Sequence, residues 1–318
     1  MSKKTKIILA LFIIVFIAVF PFGDNTPIKY IDRQSGEIKT EKVYGEFWLH
    51  WLYNNPVGKI SLYTIVKRKL VSEWYGRQMS STESADKIPD FISKYHINKN
   101  EFEKQNFTSF NDFFSRKLKV SARPIDTNKA VLISPADGKI LAYKNISKQD
   151  FIVKGYQFNL LQFFNDSVLA NQYRNGSLII IRLCPTDYHR FHFPVDGEII
   201  SSKRIEGPLF SVSPIALRKK VEIICRNKRE YTQIKTTNFG TIIMAEVGAT
   251  MVGSIIQTYK TPSVKKGLEK GYFIFGGSTV VLFFEKDKAQ IDSDILENTQ
   301  KQIETEVKMG EQIAVTKP

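Results

Sequence analysis

Residues 271–287 read GYFIFGGSTVVLFFEKD. Two apolar runs, Tyr272–Phe275 and Val280–Phe284, have the β-branched and aromatic make-up of buried strands. Gly276, Gly277, Ser278 and Thr279 interrupt them. Glycine reaches positive φ without steric cost, so the ordinary reading is a β-hairpin closed by a tight Gly-Gly turn. A phosphate nest of backbone N–H groups fits less well, because the lysine and following helix of a P-loop are absent. A third reading makes Ser278 a nucleophile, which needs a base and a group to orient that base.

The strand texture extends upstream. SLIIIRL (Ser177–Leu183), GEIISS (Gly197–Ser202), VEIIC (Val221–Cys225) and TIIMAEV (Thr241–Val247) are Ile- and Val-rich runs divided by Gly, Pro and Asp, and STVVLFF (Ser278–Phe284) joins them as a fifth expected strand. Asp137-Gly138 in ISPADGKI and Asp196-Gly197 in FPVDGEI carry hairpin-turn chemistry. The Lys- and Gln-rich stretch after Glu285 reads as a frayed end or a short exposed element.

Before residue 120 the texture is helical. GEFWLHWLYNNPVG is a short aromatic helix that Asn54-Asn55-Pro56 should end. KISLYTIVKRKLVSEWYGRQM spaces Ile60, Tyr63, Val66, Leu70 and Trp74 as one amphipathic helix, packed on the core or lying on a membrane. Asn111 and Asp112 read as cap or turn residues. At the start, Lys3, Lys4 and Lys6 precede an apolar run of 16 residues, Ile7–Phe22. As a helix it is roughly 24 Å long, a little short of the ~20 residues preferred by a membrane span. A signal peptide has the same layout, but no A-x-A-like cleavage site follows, which favours an uncleaved anchor. The expected class is α+β: a hydrophobic anchor (1–24), a helical membrane-proximal region (25–120), and a β-rich, mostly antiparallel, barrel-like body (121–318).

With 42% hydrophobic and 25% charged residues in 318, the chain has the composition of a globular protein and not of a disordered one. Its net charge of +14 suits a polyanionic partner, either nucleic acid or an anionic membrane surface. Cys184 and Cys225 sit among apolar residues and read as buried free thiols, not as a disulfide framework. Two of four histidines, His189 and His192, stand three apart in CPTDYHRFHFPVDG. Backbone-satisfied imidazoles are the plain reading. A metal pair lacks supporting ligands, so no metal is expected. A general base for Ser278 is the third possibility. Asp137 in its turn would suit an orienting carboxylate. The order Asp137, His192, Ser278 thus contains orienter, base and nucleophile, although G-x-S-x-G is absent.

SPADG, DYHRFHFP, GPLFSVSPIAL, VGATMVGSI and KGLEKGYFIFGGSTVVLFFE, with FNDFFSRKLKVSARPID before them, resemble the phosphatidylserine decarboxylase proenzymes, in the same order from about Ile28 to Phe284. The resemblance implies that the chain cuts its own Gly277–Ser278 bond, with Asp137 and His192 activating the Ser278 hydroxyl. A large chain (1–277) and a small chain (278–318) of 41 residues would remain associated, and Ser278 would become a pyruvoyl group. That group would serve decarboxylation of phosphatidylserine to phosphatidylethanolamine and CO2, with His189 as proton donor. The implied substrate lies in an anionic membrane, the cell (cytoplasmic) membrane, on a side the sequence leaves open. Nucleic acid becomes unnecessary, and a homodimer is compatible. Two rival readings stand beside it: an uncleaved membrane-anchored Ser-His-Asp hydrolase, and a non-catalytic lipid-binding module.

Overall fold

The computed structural model describes residues 2–20, 26–147, 151, 156, 158–250 and 254–317. Met251, Val252 and Gly253 of the VGATMVGSI block lie outside the described residues. Helices α1 (Lys3–Val19), α2 (Glu46–Asn54), α3 (Pro56–Ser61), α4 (Lys69–Met79), α5 (Ile88–Tyr95) and α6 (Phe110–Phe114) make up most of the N-terminal part. Strands β1 (Lys29–Asp32) and β2 (Ile38–Thr40) stand among them. The body contains β3 (Val131–Ile133), β4 (Gly138–Tyr143), β5 (Ser177–Leu183), β6 (Arg190–His192), β7 (Gly197–Ile205), β8 (Arg229–Lys235) and β9 (Thr241–Val247). It continues with β10 (Ile255–Gln257), β11 (Ser263–Val264), β12 (Glu269–Phe273), β13 (Ser278–Phe284), β14 (Ala289–Ile291), β15 (Glu304–Val307) and β16 (Gln312–Thr316). Short helices α7 (Leu160–Phe164), α8 (Ser167–Tyr173), α9 (Pro214–Leu217), α10 (Ile223–Arg226) and α11 (Ser293–Gln300) lie between strands.

Ten strands form one sheet in the order β11-β7-β8-β9-β13-β5-β4-β15-β1-β2. Only the β1–β15 contact in it is parallel. Two three-stranded sheets, β10-β12-β6 and β14-β16-β3, complete the body. The barrel expected from the sequence is therefore not formed. The large sheet stays open: its end strands, two-residue β11 and exposed three-residue β2, are short and do not pair with each other.

β13 lies centrally, with all seven residues buried, paired to β5 on one side and β9 on the other. Its alternation divides the core. Val280, Leu282 and Phe284 enter a cluster with Phe191, Phe273 and Ile255 of the β10-β12-β6 sheet. Val281 and Phe283 enter another with Phe163, Phe164, Tyr231 and Cys225. A third core gathers Phe91, Phe110, Phe113 and Phe114 of the helical region around Phe275.

Several expectations change. Val221–Cys225, expected as a strand, instead contributes Ile223, Ile224 and Cys225 to α10. Its consecutive burial is common to a buried strand and a buried helical turn, which a short apolar run cannot distinguish. The single amphipathic helix over 59–79 is broken by a π turn at Leu62–Val66 and by extended Arg68 before α4. Asn55 does end α2, but it also caps α3 by accepting from Val57 N and Gly58 N. The stretch after Glu285 is no frayed end: it supplies β14, α11, β15 and β16. Of the apolar N-terminal run, Ile7–Val19 lies in the 17-residue α1, while Pro21 and Phe22 lie outside the described residues. Among the described residues no helix is long and apolar enough to cross a membrane, so the expected anchor is not shown. The end of α1 is tied to the α2–α3 corner of the helical region, with Trp51 Nε1 donating to Ala18 O at 2.8 Å and Asn55 Nδ2 to Phe20 O at 2.8 Å.

Candidate active site

None of the three glycine turns is a hairpin. β12 pairs with β10 and β6, whereas β13 pairs with β5 and β9. β3 pairs with β16, whereas β4 pairs with β5 and β15. β6 pairs with β12, whereas β7 pairs with β8 and β11. Each turn carries the chain from a small sheet into the large one. Asp137, His192 and Ser278 all stand at these crossings: Asp137 just before β4, His192 at the end of β6, and Ser278 at the head of β13.

The Gly276-Gly277 crossing is clamped on its upstream side. Phe275 packs its ring against Phe110 and Phe114, both with centroids at 5.0 Å. Its backbone N–H donates to Asn111 Oδ1 at 3.0 Å, and Asn111 Nδ2 holds Gly76 O and Ser80 Oγ. Two residues earlier, Phe273 belongs to the inter-sheet core. The chain thus passes between two cores in a few residues, and Gly276 adopts φ 133° to do so, a conformation other residues rarely take. On the other side, Ser278 enters the ladder opposite Leu183. Among the described residues a Cβ on Gly277 would meet only Val212 Cγ2, at 3.4 Å, so their packing alone does not require glycine there. Ser278 is fully buried, and among the described residues its Oγ has no hydrogen-bond partner. A buried unpaired hydroxyl costs about 1–3 kcal/mol, which marks it as serving something other than the resting fold.

His189 borders the same crossing. Its backbone carbonyl accepts from Phe273 N at 3.0 Å, and its ring stacks on Phe114 at 3.9 Å between centroids. Nδ1 lies 3.0 Å from Asp187 O, so Nδ1 bears the proton and Nε2 is left as a bare lone pair. That Nε2 is buried and, among the described residues, has no hydrogen-bond partner. Burial holds the ring down to a pKa of about 4, although the Asp187 carbonyl and carboxylate and the nearby Gly276 carbonyl favour the charged form. His189 is therefore neutral at pH 7.

His192 is anchored differently. Nδ1 donates to Gly267 O at 2.9 Å, and Nε2 accepts from the Tyr188 hydroxyl at 3.2 Å. Burial lowers its pKa, opposed by the Gly267 carbonyl and the charges of Glu269 and Asp137. Asp137 is likewise occupied: Arg123 grips it through Nε at 2.9 Å and Nη2 at 2.6 Å, and Met309 N donates to Oδ1 at 2.8 Å. In the uncut chain Asp137 influences His192 through space, with no hydrogen bond between them, and Ser278 Oγ bonds to neither. All four side chains are buried at one seam, but the nucleophile–base–orienter chain of hydrogen bonds is not assembled.

Arg123, Tyr188 and Asn111 went unassigned to the site in the sequence reading. Only Asn111 carried a local signal, and it pointed to a cap, a task performed by Ser109, whose Oγ accepts from Asp112 N. Among the described residues no group of three His, Cys, Asp or Glu side chains is arranged to hold a metal ion.

A family model described as phosphatidylserine decarboxylase matches residues 110–315. A phosphatidylserine decarboxylase proenzyme of Fusobacterium nucleatum subsp. nucleatum is 57% identical over 288 residues, covering 89% of this chain and 96% of that relative. Proteins of the same description are 49% identical over 295 residues in Clostridium botulinum, covering 91% of this chain and 100% of the relative. In Clostridium novyi the figures are 48% over 291 residues, 90% and 98%.

Proposed function

From the premise that the chain belongs to the phosphatidylserine decarboxylase family, we propose that its chemistry begins at the Gly277–Ser278 crossing. The protein decarboxylates phosphatidylserine, giving phosphatidylethanolamine and CO2, and is made as a proenzyme. Ser278 Oγ attacks the Gly277 carbonyl carbon while a histidine takes the hydroxyl proton. The peptide bond gives way to an ester, and elimination at Ser278 then releases a new carboxylate on Gly277.

His192 is the base in this reading. Its Nε2 must exchange the Tyr188 hydroxyl for that of Ser278, and the Asp137 charge then stabilises the imidazolium. His189 keeps a bare Nε2 beside the crossing and is the group to hold and return a proton during turnover. The single observation that carries the reading is the pair of buried, unpartnered atoms at one crossing, Ser278 Oγ and His189 Nε2.

The dehydroalanine that elimination would leave at 278 would tautomerise and take up one water, losing its nitrogen as ammonia, so that a pyruvoyl group would stand in place of Ser278 with no contact of its hydroxyl lost. Such a group supplies a ketone that takes up the electrons released as CO2 leaves. The surrounding residues exclude water, because Leu183, Val280, Phe273 and Phe275 are all buried.

The two chains would stay together without the peptide link. β13 pairs along its length with β5, and β15 with β1 and β4. Buried Arg182 grips Glu304 at 2.9 Å, and Arg33 reaches Asp292 at 2.8 Å. An anionic membrane surface suits the helical region, where Trp48, Ile60, Leu70 and Trp74 are exposed among Lys59, Lys67, Arg68 and Lys69.

Intact mass and N-terminal sequencing of the purified protein test the cut. The expected result is two fragments divided at 277/278, the smaller with a blocked start, whereas Ser278→Ala stays whole and forms no phosphatidylethanolamine. An active Ser278→Ala protein would overturn the reading.

A further inference from the structure

A cleft of about 660 Å³ lies on the face of the large sheet opposite the Ser278 side chain. Its floor includes Thr279, the residue next to the nucleophile, with Leu141 and Ile180 of the adjoining strands. Leu217 of α9 forms a wall, and Lys29 and Arg218 also line it. Thr279 is fully buried, yet its Oγ1 has no hydrogen-bond partner. Ser213 Oγ, one residue before the lining Pro214, is buried and unpaired as well.

The lining charges are unequal. Lys29, Arg182 and Arg218 stand against Glu304 alone. Arg182 is consumed by Glu41 and Glu304, at 2.6 Å and 2.5 Å. Arg218 makes only a 3.3 Å contact to the Thr26 carbonyl, and neither it nor Lys29 is in any described ion pair. Among the described residues, an apolar wall, the unsatisfied Thr279 hydroxyl and two cations outside any ion pair describe a receptor for an amphiphile with one anionic group.

We propose that this cleft binds the phosphodiester and glycerol portion of a glycerophospholipid, with Arg218 and Lys29 on the phosphate and the Thr279 hydroxyl turned to the head group. The assignment rests on the proposed function, because the Cα of residue 278, about 3.8 Å from that of Thr279, is the atom the substrate must reach. Approach from this side avoids the packed core on which the Ser278 side chain rests. The volume falls in the range usual for small-molecule sites.

The uncut Ser278→Ala chain is the protein to use, titrated calorimetrically with monomeric dihexanoyl-phosphatidylserine below its micelle concentration. Arg218→Glu with Lys29→Glu should weaken binding at least about tenfold, a loss of about 1.4 kcal/mol. Glycerophosphoserine should compete, and inorganic phosphate should compete far less, which separates a lipid head group from a free anion site. Leu217→Gln should weaken the dihexanoyl lipid more than glycerophosphoserine. Unchanged affinity in the double charge reversal would overturn the proposal, as would phosphate competing as well as glycerophosphoserine. The same charge reversal with Ser278 retained should still divide at 277/278. Intact lipid binding in a wild-type chain that never divides would instead count against the maturation scheme alone.

Discussion

Protonation of His189 has a cost that can be measured without any turnover assay. Its folded pKa of about 4 lies below the ordinary 6.5 because the ring is buried. As pH falls, the unfolded chain therefore takes up a proton first. The contribution to stability is complete above pH 6.5 and is lost as pH falls from there through 4. The full gap is worth about 3 kcal/mol. Linkage between pH 7 and pH 5 gives roughly 2 kcal/mol. Urea unfolding of Ser278→Ala and of Ser278→Ala/His189→Gln, each at pH 7 and pH 5, isolates that share. His192 titrates in both proteins and cancels. The double variant should lose about 2 kcal/mol less on acidification than the single one. An equal loss in the two proteins would refute the claim that His189 is held neutral by burial, and with it the argument for a bare Nε2.

Other consequences can be checked as directly. Lys270 and Glu246 form a fully buried ion pair at 2.7 Å, so Lys270→Met should destabilise the uncut chain by about 3–5 kcal/mol in urea, and adding Glu246→Leu should restore much of it. Tyr188→Phe removes the hydroxyl that occupies His192 Nε2; self-cleavage followed by gel densitometry should proceed at least as fast as in wild type, and a strong slowing would make Tyr188 a proton relay. Asn111→Ala frees Phe275 N from its partner, and should slow cleavage and destabilise the protein by about 1–3 kcal/mol.

Much of the sheet was legible because its central strands are apolar without interruption. SLIIIRL, TIIMAEV and STVVLFF coincide with β5, β9 and β13 end to end. Their pairing was not legible. Gly276-Gly277, Asp137-Gly138 and Asp196-Gly197 have the turn chemistry of hairpins, which reports local backbone freedom and not which sheet the next strand joins. VEIIC failed for the related reason that so short a run, four of its five residues apolar, suits a helical turn as well as a strand. The site followed the same division. Residue types singled out Asp137, His189, His192 and Ser278, and all four are buried at one seam. Which histidine nitrogen is free depends on carbonyls of Asp187 and Gly267, and Asp137 is claimed by Arg123, a long-range pairing with no local sequence signature.

The placement of Ser278 at the head of a central strand has a consequence for the lifetime of the protein. Before the cut, β13 to β16 belong to the same molecule as the strands they join, and the chain can unfold and return. After the proposed cut the same sheet would be a complex of two polypeptides, and its recovery from denaturant would depend on their concentration. Maturation would thus make folding a single opportunity: a worn enzyme is replaced by new synthesis, and its durability is set by how slowly the 41-residue fragment escapes.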